Sequence, residues 1–353
     1  MNRSIRALVP ITFALALAQM ASASARCAPT VFPLAGTHAP ASHGRGPGLL
    51  LDGGGTDIDA AWRWMHDTLV GKATRGGNVL ILRATGTDDY DPYALQTARF
   101  ASARTLLVPA CTPRAQVDAL AKYADAADAV FFSGGDQAHY AAWKGSALIS
   151  AVRRAYARGG VVGGTSAGLA IQGAVVYDSV AADRVLAADA EVRSPDATKN
   201  PYEPAISFTT GLFRYPPLTA VITDTHFAKR DRFGRLAAFM ARALRDGLIR
   251  GNRVYGVAVD ERSALVVDRH GVATLLENPY AGGYRTRGAY IITGGRAARI
   301  APGKPLLYTV HVVHLSRSGQ RFNLYTKHGD GRRYDVTVDG SRSSIYSRDP
   351  YSG

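Results

Sequence analysis

"VVGGTSAGLAIQG", residues 161–173, places Ser166 between small residues at the end of an apolar run. The segment GTSAG fits the G-x-S-x-G pattern, in which a buried strand turns sharply into a helix and the serine is held at the turn. A short pattern with two fixed glycines also arises by chance in a glycine-rich chain. Ser166 is therefore either a nucleophile or a hydroxyl in a tight connection, and the rest of the sequence has to distinguish the two.

Upstream of this stretch, short apolar runs alternate with amphipathic segments. Continuous apolar runs are typical of strands buried on both faces of a parallel sheet, and the segments between them have helical periodicity. The sequence therefore predicts an α/β fold: a doubly wound, mostly parallel sheet with helices on both faces. The predicted strands cover 48–54, 78–85, 105–110, 129–135 and 159–164, and the predicted helices cover 57–71, 94–103, 114–126 and 137–157.

Glycine clusters end three of these strands, in DGGG (52–55), SGGDQ (133–137) and GGTSAG (163–168). Ligands of such sheets gather at the carboxyl ends of the strands, and glycine lets the backbone turn tightly or approach a ligand closely. We therefore expect the three clusters to converge on one site.

The chain beyond this region is less regular. The segment 183–217 is punctuated by prolines, and a long connection of this kind is often a functional lid. The polar segment 316–353 is expected to be peripheral. Further strands are predicted at 220–224, 255–260, 264–268, 289–294 and 306–315, of which the last two are extra C-terminal β elements that extend the sheet or form a flanking hairpin.

The N-terminal residues have the pattern of a signal for export of the chain. Residues 1–25 have a positive start, an apolar core and a small-residue cleavage point near Ala25, the pattern of a secretory signal peptide, and 26–47 read as an irregular lead-in. A secreted or periplasmic chain without membrane insertion after cleavage is therefore expected. In such a compartment Cys27 and Cys111 can form a disulfide, and the sequence leaves open whether they do.

The formal net charge of +14 favours anionic partners. The basic residues are not interleaved with an aromatic stacking motif, so nucleic acid is not an expected partner. No clustered metal ligands and no cofactor motif are apparent, so neither a metal nor a cofactor is expected. Whether the chain forms a homodimer is left open.

A serine is a strong nucleophile only when a base takes its proton. His226 lies just past a predicted strand, on the same sheet edge as Ser166. Asp260 and Glu261 follow another strand there, and either carboxylate can orient the imidazole. The order Ser, His, Glu argues against an α/β-hydrolase, whose order is Ser, acid, His. Backbone amides of Gly135 and Ala167 are the expected oxyanion donors.

Five stretches together, LLDGGG, FFSGGDQ, GGTSAGLAI, DTHFAKRDRFGRL and VAVDERSAL, resemble the cyanophycinase-like serine peptidases in order and spacing. That family includes aspartyl dipeptidase (peptidase E), and its fold is like that of the class I glutamine amidotransferases. The resemblance spans roughly residues 48–315.

The resemblance implies that Ser166 is the nucleophile, His226 the base and Glu261 the third member of a triad. It also implies a set of substrate-binding residues, namely Gln137, Asp224, Thr225, Arg230, Arg232 and Arg235. Guanidinium groups hold carboxylates in bidentate geometry, whereas cations at the start of a helix are otherwise unfavourable, which favours a binding role for the arginines. The chain departs from cyanophycin-degrading members at Thr225, where they carry glutamine, and at Asp231, where they carry glycine.

The expected function is that of a serine-type exopeptidase that cleaves aspartyl or β-aspartyl (isopeptide) bonds. Its expected partner is an acidic or isoaspartyl peptide or polymer, with cyanophycin or its fragments as the model. Two alternatives remain open: an amidase or esterase that acts on another acyl substrate, and a non-catalytic envelope module that binds an anionic polymer.

Overall fold

The computed structural model describes residues 26–41, 44–72, 74–187, 190–278 and 283–352. The predicted signal peptide lies outside these residues. Within them, no helix is long and apolar enough to cross a membrane. The described chain is built from two β-sheets with helices packed against them.

The centre of the first sheet consists of five parallel strands, which are β3 (Gly48–Asp52), β4 (Asn78–Arg83), β5 (Ser102–Leu107), β6 (Ala129–Phe132) and β7 (Val161–Thr165). Their order across the sheet is β5, β4, β6, β7, β3. Antiparallel strands continue the sheet on both sides. These are β1 (Thr30–Val31) and β2 (Ala35–Gly36) beside β5, and β12 (Ser263–Val267), β13 (Val272–Glu277), β17 (Arg321–Asn323) and β18 (His328–Gly329) beyond β3.

Helices connect and cover the strands. They are α1 (Asp59–Leu69), α2 (Tyr90–Gln96), α3 (Arg114–Ala119), α4 (Ala121–Asp125), α5 (Gln137–Ala141), α6 (Ala147–Ala157), α7 (Ala167–Ala170), α8 (Ala182–Val185), α9 (Ser194–Lys199) and α10 (Phe233–Arg245), with a 3₁₀ turn at Pro216–Leu218.

The alternation of side chains along β3 shows how the two faces of the first sheet are covered. Successive side chains of a strand point to opposite faces. Leu50 is buried in a core with Trp62 of α1, whereas Leu49 and Leu51 are buried on the other face in a core with Val152 of α6. Each fully buried leucine contributes about 1.5–3 kcal/mol relative to exposure. The predicted doubly wound α/β class is confirmed.

The later strands form most of a second sheet, whereas the sequence predicted that they extend or flank the first one. The second sheet has the order β15, β16, β14, β11, β10, β8, β9, with β19 paired to β16. Only β8, β10 and β11 run parallel to one another. The strands are β8 (Val175–Tyr177), β9 (Phe208–Thr210), β10 (Val221–Asp224), β11 (Val254–Val259), β14 (Ala289–Gly294), β15 (Arg299–Ala301), β16 (Lys304–Leu315) and β19 (Arg332–Asp339).

The second sheet packs on both of its faces. Val221 and Val257 are buried in the core shared with the first sheet, and their neighbours Ile222 and Ala258 are buried against α10. This explains why these strands read as continuous apolar runs although they lie outside the first sheet.

The C-terminal segment, expected to be peripheral, is integrated into the fold. It supplies three strands, and its tyrosines reach the start of α10. The hydroxyls of Tyr346 and Tyr351 each donate to Asp231 at 2.8 Å. They accept the N–H groups of Gly234 (3.2 Å) and Phe233 (2.9 Å), which have no partner inside the helix. Asp231 thus anchors the tail, and its own φ is +46°.

Cys27 and Cys111 form a disulfide, with their Cα atoms 5.2 Å apart. The bond joins the lead-in segment to the loop after β5 and closes a sequence separation of 84 residues. The question that the sequence left open is thereby answered in the structure.

Candidate active site

Ser166 stands at a sharp turn between β7 and α7. Its backbone has φ +52° and ψ −119°, a strained conformation that places the side chain at the end of the strand. The turn requires small neighbours, because a Cβ on Gly168 would lie 2.1 Å from the carbonyl oxygen of Phe132. The G-x-S-x-G pattern therefore has a steric cause here, and the strand-turn-helix context that it predicts is present.

His226 follows β10, and its imidazole connects Ser166 to Glu261. Nε2 lies 2.7 Å from Ser166 Oγ, and Nδ1 lies 2.7 Å from Glu261 Oε1. If Nδ1–H donates to the carboxylate, Nε2 is left to accept the serine hydroxyl. The structure thus joins the three predicted residues in one hydrogen-bonded chain.

The three side chains come from different parts of the fold. Ser166 belongs to the first sheet and His226 to the second. Glu261 lies where the chain crosses from β11 in the second sheet to β12 in the first.

The loop after β3 ties these segments together. Its carbonyl oxygens accept three backbone N–H groups: Asp52 accepts from Ser166 (3.1 Å), Gly53 from His226 (2.9 Å) and Gly54 from Arg262 (2.9 Å). A Cβ on Gly54 would lie 2.5 Å from Cε1 of His226. Gly54 of DGGG therefore makes room for the imidazole, whereas the sequence suggested only a tight turn or room for a ligand.

His226 is held neutral by its surroundings. Its pKa is lowered from 6.5 to about 4, first by burial and then by the positive charges of Arg230 and Arg232, against the opposing effect of Glu261. A neutral imidazole can accept a proton, which is the state that a general base requires.

A cavity of about 900 Å³ opens beside Ser166. Gly135 and Ala167, the expected oxyanion donors, line it together with Ser166, and Gly135 has φ +136°, which favours glycine. Gln137 also lines it, at the start of α5, where Asp136 caps the helix by accepting from Ala138 N at 2.8 Å. Their roles in binding and catalysis remain predictions.

Arg235 and Asp224, two of the predicted substrate-binding residues, form an ion pair with each other. Arg235 is 1% exposed, and its Nε and Nη2 donate to the two carboxylate oxygens of Asp224 at 2.9 and 2.6 Å. Asp224 is 3% exposed and also accepts from Thr225 N at 2.8 Å. This buried bidentate pair holds the site together, and the Arg235 guanidinium borders the cavity, so a substrate-binding role for the two residues stays a prediction.

Arg232, Arg230 and Thr225 face the cavity in different ways. Arg232 donates to the carbonyl oxygen and the hydroxyl of Thr225 at 2.9 and 3.1 Å, so Thr225 holds this arginine in place. Arg230 is the most open of the three arginines, with 45% of its side chain exposed.

Glu191 is a site residue that the sequence did not reveal. Its carboxylate pairs with Arg232 and also lies 3.3 Å from Arg235 and 3.8 Å from Arg230. It lies in the predicted lid segment, outside every recognised motif, so no sequence signal could have found it. Elsewhere in the described residues, no group of three or more His, Cys, Asp or Glu side chains is placed to hold a metal ion.

Comparison with known proteins supports the predicted resemblance. No family model matches the chain. Two curated cyanophycinases, from Trichormus variabilis and from Nostoc sp., are each 28% identical over 207 residues, which is 58% of this chain and 59% of each relative. Over this stretch the chain is similar to cyanophycinases. It spans about three fifths of the length of the cyanophycinases that it matches.

Among solved structures, a peptidase from an acI-B1 Actinobacterium is similar to this chain at 14% identity with a TM-score of 0.42. The match covers 78% of this chain and 96% of that one.

Proposed function

We propose that this chain is a serine-type exopeptidase that hydrolyses aspartyl or β-aspartyl (isopeptide) bonds, with cyanophycin or its fragments as the substrate. The observation that carries the proposal is the hydrogen-bonded chain Ser166, His226, Glu261, with 2.7 Å at each link, at the mouth of a cavity that also holds arginines. The similarity to two cyanophycinases supports the choice of bond.

In the proposed reaction, Ser166 Oγ attacks the carbonyl carbon of the scissile bond while His226 Nε2 takes the hydroxyl proton. The carbonyl oxygen becomes an oxyanion, for which the N–H groups of Gly135 and Ala167 are the proposed donors. His226 then gives its proton to the leaving amine, and an acyl-enzyme remains.

A water molecule completes the cycle. His226 takes a proton from the water, the hydroxide attacks the acyl carbon, and the proton returns to Ser166 as the carboxylic acid leaves. Glu261 keeps its negative charge throughout and stabilises the imidazolium through Nδ1–H. Arg230, the exposed arginine of the cavity, is proposed to hold a free carboxylate of the substrate.

We also propose that the protein acts outside the cytoplasm. The signal-like residues 1–25 lie outside the described chain, and the disulfide between Cys27 and Cys111 supports an oxidising location.

The test incubates residues 26–353 with cyanophycin, an α-aspartyl dipeptide and a β-aspartyl dipeptide, and identifies the products by mass. Ser166→Ala should abolish cleavage and retain binding. Ser150→Ala, which removes a hydroxyl on α6 that bonds Ser146 at 3.0 Å, should leave cleavage unchanged. Turnover by Ser166→Ala would refute the assignment of Ser166 as the nucleophile. If the parent chain cleaves none of the three substrates at neutral or mildly alkaline pH, the proposed substrate class is wrong.

A further inference from the structure

We propose that the Glu191 carboxylate is an internal competitor of the substrate: it occupies, beside Arg230 and Arg232, the place that a free carboxylate of the substrate takes on binding. The inference rests on the proposed function for the identity of that substrate, and it makes Glu191 a residue that sets affinity for acidic ligands.

The contacts of Glu191 are those of a bound carboxylate. A single oxygen, Oε2, pairs with Arg232 and lies 3.3 Å from Nη1 of Arg235 and 3.8 Å from Nη1 of Arg230. Three guanidinium groups therefore converge on one carboxylate oxygen. Guanidinium groups arranged in this way recognise carboxylates by charge-assisted hydrogen bonds.

The charges of the cluster leave room for a ligand of the same kind. Arg235 is neutralised by its bidentate pair with Asp224, whose Oδ1 lies 3.6 Å from Arg232. Arg230 and Arg232 then carry two positive charges against the one charge of Glu191. A substrate carboxylate that replaces Glu191 keeps this balance, and one that joins it neutralises the remaining charge.

Glu191 is also the exchangeable member of the cluster. Its side chain is 34% exposed at the wall of the cavity, whereas those of Arg232 and Asp224 are 8% and 4% exposed. Buried Arg232 would lose a charge partner if Glu191 left without a replacement, so the exchange is favourable only when an incoming carboxylate takes its place. Glu191 is the member that water can solvate on leaving, while the buried groups stay in place to receive the ligand.

The experiment measures binding rather than turnover. Succinate and L-aspartate are titrated calorimetrically into the Ser166→Ala chain, residues 26–353, with and without Glu191→Gln. Removing the internal carboxylate should tighten the binding of both probes by about tenfold, since an intramolecular group competes at a high effective concentration. The matched control is Asp196→Asn, which removes one negative charge from the exposed pair with Arg193 and should leave binding unchanged.

Unchanged or weaker binding by Glu191→Gln overturns the proposal, and so does the absence of succinate binding to every variant. If Glu191→Gln does not fold, Glu191→Asp carries the test, because its shorter side chain keeps the charge but reaches the arginines less well; tighter binding by twofold or more is expected. Carboxylate binding that responds to Glu191 without any peptide cleavage by the parent chain would refute only the proposed function. Cleavage with binding that is indifferent to Glu191 would refute only this inference.

Discussion

Gly54 offers the sharpest test of the catalytic geometry. In Gly54→Ala, the new methyl group would lie 2.5 Å from Cε1 and 2.6 Å from Nε2 of His226, whereas ordinary contacts begin at 3.4 Å, so the ring has to move by about 0.9 Å. If that movement is away from Ser166, the Oγ–Nε2 distance grows from 2.7 Å to about 3.6 Å, which is no longer a hydrogen bond.

A misplacement of about 1 Å costs about 100-fold in rate, so kcat for dipeptide cleavage should fall by that factor. The reaction of Ser166 with an organophosphonate should slow in parallel, which tests the nucleophile even if the substrate is another one. Because Gly54 has φ +98°, alanine also strains the backbone and should lower the free energy of unfolding by about 1–3 kcal/mol.

Gly55→Ala is the matched control. Gly55 has a similar φ of +82°, but a Cβ there would lie at an ordinary 3.4 Å from Cβ of Glu261. Both variants should therefore lose similar stability, and only Gly54→Ala should lose most of its activity. If Gly54→Ala retains a kcat within threefold of Gly55→Ala, the clearance of the imidazole does not limit catalysis and the reasoning is wrong.

Three further predictions concern the charged groups of the site. His226 must be neutral to act as the base, and its pKa is about 4, so kcat/KM at pH 5 should remain at about 90% of its plateau. An ordinary histidine pKa of 6.5 would leave about 3% of the plateau at that pH. A fall in kcat/KM centred near pH 6.5 would contradict the prediction. Glu261→Gln should lower kcat by about 10³–10⁴-fold with little change in KM, because the imidazolium of His226 loses the charge that stabilises it. Steady-state kinetics measures both constants. A parallel rise in KM would indicate that Glu261 binds substrate instead. Asp224→Asn should lower the free energy of unfolding in urea by about 3–5 kcal/mol, since it leaves the buried charge of Arg235 unpaired. The control Asp125→Asn breaks an exposed pair with Arg154 and should cost about 0–1 kcal/mol. Equal losses would contradict a structural role for the buried pair.

The five parallel strands of the first sheet and the three residues of the hydrogen-bonded chain were predictable because each is a local feature of the sequence. An apolar run followed by glycines marks a buried strand end, and such ends meet at one edge of a parallel sheet. Ser166 and Glu261 could be placed by that rule. His226 was found by the same rule although its strand lies in the second sheet, because β10 also ends toward the site.

The rest depends on pairing that no local pattern encodes. The apolar run of β10 reads the same whether its neighbours belong to the first sheet or the second. The partners of Arg235 and Asp231 lie 11 and 120 residues away, at Asp224 and Tyr351, so burial and anchoring could not be read from the arginine run itself. Glu191 has no motif at all, and only the folded chain brings it to the arginines.

Because Ser166 and His226 follow strands of different sheets, the proposed nucleophile and its proposed base do not meet until the two sheets dock. A folding intermediate with a complete first sheet and an undocked second sheet has the turn that holds Ser166 but lacks His226 beside it. During refolding the proposed activity should therefore return with the docked core rather than with secondary structure.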